Sequence, residues 1–187
     1  AYDTPSGLPY LSINLATGKG SIPGWLNNRV ALAEVGTLQL EMRELSRLTG
    51  NETYWQAAKR ADDVLTRMTT FDGLLPTTFN PDNLNAKPQS YTMGAMADSY
   101  YEYLLKRWIQ SGKTDDHLRN RYDEAMQGMR KHLVKSSPTE HLMFVGDIRE
   151  DGGFTSRMEH LTCFIGATLA LGAMHDHDNA ARAKSDL

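Results

Sequence analysis

The chain has 187 residues, 40% of them hydrophobic, and a formal net charge of -3. That is enough apolar material for one core and too little positive charge to hold nucleic acid or an anionic membrane surface. No apolar run approaches the roughly 20 residues that cross a bilayer, and residues 1–20 lack the basic and apolar regions of a signal peptide, so neutral or weakly charged ligands fit best.

Residues 7–15 read as a strand-like lead-in. Across residues 25–48, Leu26, Val30, Val35, Leu38, Met42, Leu45 and Leu48 recur at mostly three- and four-residue steps, which predicts one amphipathic helix burying that stripe. Gly50 stops it, and Asn51 can cap a second helix over residues 52–68. Residues 71–90 are rich in turn formers, with Pro76, Asn80-Pro81-Asp82 and Pro88, and their short apolar run predicts a hairpin. The pattern then repeats as a helix over 91–110, a break at Gly112 and a helix over 114–135. A strand over 141–148 and a turn over 147–153 follow, and a third round runs from 155 to 172.

The breaks Gly50-Asn51 and Gly112-Lys113 are 62 residues apart, so the repeating unit is helix, turn, helix, hairpin. Helical pairs that recur in this way cannot bury their faces alone. They stack into an open solenoid or close into an α/α toroid, and in a toroid the strand-like connectors collect at one mouth. The expected organisation is a partial helical barrel over residues 1–172 and a polar tail or connector over 173–187.

Glu34, Asp98 and the pair Glu159-His160 lie among apolar neighbours early in successive rounds, with steps of 64 and 62 residues between Glu34, Asp98 and His160. In a toroid these groups converge on the axis, where an unpaired buried charge costs several kcal/mol. The competing reading of each carboxylate is a helix cap or dipole partner. Converging carboxylates suit glycoside hydrolysis, in which one acid protonates the leaving oxygen and another carboxylate activates water. Tyr100, Tyr101 and Tyr103 serve either as core or as a surface for a sugar. The run His175-Asp176-His177-Asp178 is either a weak metal binder or part of a polar linker. A Gly-rich phosphate loop, a nucleophile elbow and a CxxC pair are all absent from the sequence.

The single cysteine, Cys163, is a buried thiol, a nucleophile or half of a bridge whose partner lies elsewhere. Asn51-Glu52-Thr53 forms a glycosylation sequon.

Four sets of strings resemble the class I α-1,2-mannosidases, glycoside hydrolase family 47. They are Asp3-Thr4-Pro5-Ser6-Gly7-Leu8-Pro9 with Ile13-Asn14-Leu15, Ala33-Glu34-Val35-Gly36-Thr37-Leu38-Gln39-Leu40-Glu41 with Leu45-Ser46-Arg47-Leu48-Thr49-Gly50, Ala97-Asp98-Ser99-Tyr100-Tyr101-Glu102-Tyr103-Leu104-Leu105-Lys106, and Met158-Glu159-His160-Leu161-Thr162-Cys163-Phe164. They run in the family's order over roughly residues 1 to 172.

The resemblance implies an all-α fold, part of an (α/α)7 barrel. It implies removal of terminal α-1,2-linked mannose from high-mannose N-glycans, with inversion and a bound Ca²⁺, in the lumen of the ER or Golgi or outside the cell. Asp98 matches a catalytic carboxylate that handles the nucleophilic water or a proton relay. Glu34 and His160 match residues lining the sugar pocket, as do Glu159 and Phe164 less closely. Cys163 matches a cysteine that is disulfide-bonded in many members. The family's general-acid glutamate, a second catalytic glutamate and the Ca²⁺-binding threonine fall outside this sequence, so the expected partners include remaining segments of the same barrel. Met93-Gly94-Ala95-Met96 departs from a more glycine-rich run in the family. Two other readings stand beside the enzyme: a mannose-glycan binding module without turnover, and an α-helical scaffold with no sugar site.

Overall fold

The computed structural model describes residues 1–175. The lead-in is a hairpin of β1 (Ser12–Ile13) and β2 (Gly20–Ser21). The first expected helix is interrupted. It comprises a 3-10 helix (Gly24–Leu26), β3 (Val30–Ala31), a single turn α1 (Leu32–Val35) and then α2 (Gln39–Thr49). Two tertiary demands override the periodicity. Val30 and Ala31 pair antiparallel with Phe79 and Thr78 of β4 (Thr78–Phe79), and Gly36 approaches the core so closely that a Cβ there would sit 2.5 Å from the Tyr100 ring. The hairpin expected within 71–90 is therefore a strand that pairs with a partner nearly fifty residues earlier.

The second helix, α3 (Thr53–Thr66), follows its sequence signals closely. Gly50 takes φ 68°, and Asn51 Oδ1 accepts from Thr53 N at 3.0 Å. Ser46 fastens the turn by donating to Asn51 O and accepting from Trp55 N, at 2.9 and 2.8 Å.

In the second round, α4 (Asp98–Gln110) starts seven residues later than expected, and α5 (Asp116–His132) follows the break at Gly112, which takes φ 71°. Tyr91 instead bridges Ile148, and residues 92–97 form a turn in which Met96 sits at φ 72°. Beyond α5, β5 (Val134–Ser136) pairs with β6 (Met143–Val145), and β7 (Asp147–Ile148) pairs with β8 (Phe154–Thr155). Residues 147 and 148 are therefore strand, and the turn spans 149–153. The third round opens with a 3-10 helix (His160–Phe164) that runs into α6 (Ile165–Met174), so 155–159 is not helical. Residues 176–178 of the His/Asp run, with the rest of the tail, lie outside the described residues.

Two layers result. α2, α4 and α6 lie side by side with α4 in the middle, while α3 backs α2 and α5 backs α4. The core fills the space between, with Tyr100, Tyr101, Leu104, Leu105 and Trp108 of α4 facing Leu65, Leu118, Tyr122, Met126 and Phe79. Fully burying one such side chain contributes roughly 1.5–3 kcal/mol as an upper bound. Tyr100 and Tyr101 are thus core residues, whereas Tyr103 is half-buried and donates from its hydroxyl to Glu41 Oε1 at 2.6 Å. At the far end of the second round, the 71–74 turn lies so close to α5 that a Cβ on Gly128 would sit 2.1 Å from the carbonyl oxygen of Asp72.

The two outer edges of the inner layer leave apolar side chains uncovered. Leu45 and Leu48 of α2 are 37% and 68% exposed, so the predicted burial of that stripe fails there. Leu161, Phe164 and Met174 are exposed at the other edge. Each sits on a helix whose neighbouring position within the layer is unfilled among the described residues.

Candidate active site

The connectors between rounds bring Glu34, Asp98 and Glu159 to the N-terminal ends of the inner helices. Glu34 lies on α1 and Asp98 is the first residue of α4. Glu159 immediately precedes the 3-10 helix that opens the third round. At these positions a helix's free N–H groups and its dipole favour negative charge.

A few backbone contacts join the three segments. Ala33 N donates to Met96 O at 2.7 Å, tying α1 to the 92–97 turn. Ala95 N donates to Glu159 Oε2 at 2.8 Å, across 64 residues of sequence. Asp98 N donates to Gly94 O at 2.9 Å, and Ser99 N donates to Asp98 Oδ1 at 2.8 Å. Asp98 is half-buried, with Glu34 and His160 exposed on the same construction of α1, turn and 3-10 helix. Partial desolvation pushes the Glu34 carboxyl above its ordinary range. Glu34 and His160 thus stand at the surface, with Asp98 partly covered.

Glu159 is committed to the backbone through one oxygen, which makes it a latch on the turn that precedes Asp98. Gly94 leaves room for that latch. A Cβ there would fall 2.2 Å from Glu159 Oε2 and 2.9 Å from Thr162 Oγ1. The glycine that this sequence keeps in Met93-Gly94-Ala95-Met96 therefore leaves Glu159 its place on Ala95 N. Because the clashing atom ends a flexible side chain, the steric cost of Gly94→Ala is small. The lost hydrogen bond to Ala95 N is the main cost, about 1–2 kcal/mol. Thermal melts of Gly94→Ala, Glu159→Ala and the double variant are expected to be non-additive, since both changes remove one bond. Additive losses would mean the two residues act separately.

Sequence reading missed a second brace. Thr92 Oγ1 accepts from Gly94 N at 2.8 Å, and the Thr92 hydroxyl is near enough to the half-buried carboxyl of Asp147 on β7 to influence its titration. Hydrogen bonds thus run from Thr92 through Gly94 to the backbone of Asp98. Burial pushes the Asp147 carboxyl up, the Thr92 hydroxyl pulls it down, Glu159 raises it and Arg157 lowers it, with a net rise. Asp147 stands where the expected strand 141–148 and turn 147–153 overlap, and the Tyr91–Ile148 bridge brings it here.

Cys163 is free and exposed, which overturns its reading as a buried thiol. It lies on the same edge as Leu161 and Phe164, facing away from the core. Phe164 is 38% exposed and makes no ring contact among the described residues. Asn51 is exposed in the α2–α3 turn. As for a cation, no group of three His, Cys, Asp or Glu side chains among the described residues is placed to hold one.

The sequence model of glycosyl hydrolase family 47 matches residues 1–186. The chain is 42% identical over 189 residues to the endoplasmic reticulum mannosyl-oligosaccharide 1,2-alpha-mannosidase of Mus musculus, covering 98% of this chain and 28% of that protein. It is 43% identical over 177 residues to the Homo sapiens protein of the same name, covering 94% and 25%. The mannosyl-oligosaccharide 1,2-alpha-mannosidase of Candida albicans is 42% identical over 175 residues, covering 92% and 31%. This chain thus spans about a quarter to a third of the length of these relatives. The structure of an alpha-1,2-mannosidase from Trichoderma reesei superposes with a TM-score of 0.83 at 24% identity, covering all of this chain and 38% of that one. The fold is therefore an arc of an α/α barrel, and the chain belongs to glycosyl hydrolase family 47.

Proposed function

We propose that this chain supplies part of the barrel of a glycosidase that releases terminal α-1,2-linked mannose from high-mannose N-glycans with inversion of configuration. The printed activities of its relatives support this reading. The observation that carries it is the junction at Asp98. Three segments far apart in sequence are fastened around the first turn of α4 by Ala33–Met96 and Glu159–Ala95 hydrogen bonds. In this proposal the Asp98 carboxylate holds the attacking water or passes its proton. Glu34 and His160 bind hydroxyls of the reacting sugar, Phe164 offers an apolar face, and Glu159 positions the turn.

Further segments of the barrel belong to the proposal, because Leu45, Leu48, Leu161 and Met174 are exposed along both edges of the inner layer. Neighbouring helices would cover them. The Ca²⁺ of the proposed enzyme takes its protein ligands from outside the described residues. The working compartment is the secretory pathway or the cell exterior, where Cys163 can pair with a cysteine outside this chain and Asn51 can carry a glycan.

The test is mannose release from a high-mannose oligosaccharide by the intact protein purified from its source, followed by NMR of the newly formed anomer with and without a Ca²⁺ chelator. The expected result is chelator-sensitive release of β-mannose. No release at any Ca²⁺ concentration would end the enzyme reading, and release of α-mannose would end the inverting one.

A further inference from the structure

Two crossing points fix the segment that carries Glu34 against the segment that carries Asp98. At the first, Ala33 N donates to Met96 O at 2.7 Å. At the second, the buried Gly36 rests on the Tyr100 ring so closely that a Cβ there would stand 2.5 Å from Tyr100 Cδ2. Glu34 lies between Ala33 and Gly36, and Asp98 lies between Met96 and Tyr100. A hydrogen bond thus sets one side of the junction, and an aromatic ring sets the other.

The ring is itself held from the outer layer. Tyr100 is 2% exposed, stands in the first turn of α4 and packs edge-on against Tyr101 with ring centroids 5.1 Å apart. Its hydroxyl accepts from Arg121 Nη2 of α5. Arg121 Nη1 donates to the Thr66 hydroxyl at the end of α3 at 2.8 Å and lies 3.8 Å from Asp62 Oδ1. Burial outweighs the pull of Arg121 and pushes the Tyr100 hydroxyl up to about 12, so the phenol keeps its proton at neutral and mildly acid pH. The guanidinium keeps its charge as well. The bond therefore has one state, as a fixed support requires.

A phenylalanine would bury the same ring without a polar group to satisfy. What the hydroxyl adds is direction, because it ties the far end of the ring to a charged group that α3 also braces. We propose that Tyr100 and Arg121 are positioning residues that set Glu34 against Asp98 through the ring on which Gly36 rests, an inference that rests on the function proposed above. A misplacement of about 1 Å at a reacting centre costs up to about 10²-fold in rate, so a loosened ring is read in turnover before it is read in folding.

Tyr100→Phe removes the hydroxyl and keeps the ring. Thr66→Val removes the other arm of the same guanidinium and leaves the Tyr100 bond in place. Mannose release is measured on the intact protein at a temperature where melts show each variant fully folded. For Tyr100→Phe and for Arg121→Met, kcat is expected to fall about tenfold with KM within about threefold of the parent. Thr66→Val is expected to keep the parent kcat. The double variant Tyr100→Phe/Arg121→Met should lose no more than either single change, because both remove one bond. Should Arg121→Met fail to fold, the contrast between Tyr100→Phe and Thr66→Val decides. A parent-like kcat in Tyr100→Phe, or an equal fall in Thr66→Val, overturns the positioning role, while a slow Asp98→Asn in the same assay keeps the proposed function standing. If the unmodified protein releases no mannose, the function and the positioning role fall together.

Discussion

Asp98→Asn is expected to lower kcat for mannose release by about 10²- to 10⁴-fold, the usual contribution of a positioned acid or base. The amide keeps the shape of the carboxylate, and its oxygen can still accept from Ser99 N at 2.8 Å. What is lost structurally is one negative charge at a helix N-terminus, worth about 0.3–1 kcal/mol. The variant should therefore melt close to the parent while turning over very slowly. A pH profile separates catalysis from packing: the limb of kcat that reports an essential carboxylate should vanish in Asp98→Asn. Retention of kcat within about threefold would remove Asp98 from the chemistry.

Asp62→Ala is expected to lower the unfolding free energy by about 3–5 kcal/mol, because it leaves a buried guanidinium without its counter-charge. Asp62 of α3 accepts from Arg107 of α4 through both carboxylate oxygens, at 2.7 and 2.6 Å. Asp62 and Arg107 are only 9% and 5% exposed. Arg121 Nη1 stands 3.8 Å away. This pair bolts the outer helix of the first round to the inner helix of the second. Replacing both residues by apolar ones of similar size should cost far less than removing Asp62 alone, and a double-mutant cycle reads that difference.

Burial works against the Asp62 charge, yet the hydrogen bonds and charge of Arg107, helped by Arg121 and His117, hold its carboxyl below the ordinary range. The unfolded chain therefore takes up this proton first on acidification. The stabilisation is present above the ordinary aspartate value of about 3.9 and is lost as pH falls through the folded value. In urea melts the gap between the parent and Asp62→Ala should be full at neutral pH and narrow as the pH is taken below about 3.9. A loss under about 1 kcal/mol at neutral pH would show that Arg107 finds other compensation.

How far these features could be read in advance follows from the range of the forces behind them. The second and fourth predicted helices were legible almost to the residue, because their ends are set by neighbours in sequence. Asn51 and Ser46 serve α3, and Ser111 Oγ accepts from Thr114 N and Asp115 N ahead of α5. The period near 62 residues and the positions of Glu34, Asp98 and Glu159 were equally open to view, since a repeat shows itself as composition at fixed spacing.

The first and third helices were misjudged for the opposite reason. Their apolar steps continue through residues 25–48 and 91–110, but Val30 is claimed by Phe79, Tyr91 by Ile148 and Gly36 by the Tyr100 ring. The same limit hid the roles of side chains. Glu159 carries the composition of a sugar ligand, yet one of its oxygens is spent on Ala95 N, 64 residues away. Asp147 gave no sign at all before its strand met Thr92. The sequence by itself determined the class of fold and the repeat, because local caps and periodic burial decide those. Only the tertiary structure decided that Glu159 braces the turn before Asp98, because a backbone N–H takes whichever acceptor folding brings within reach.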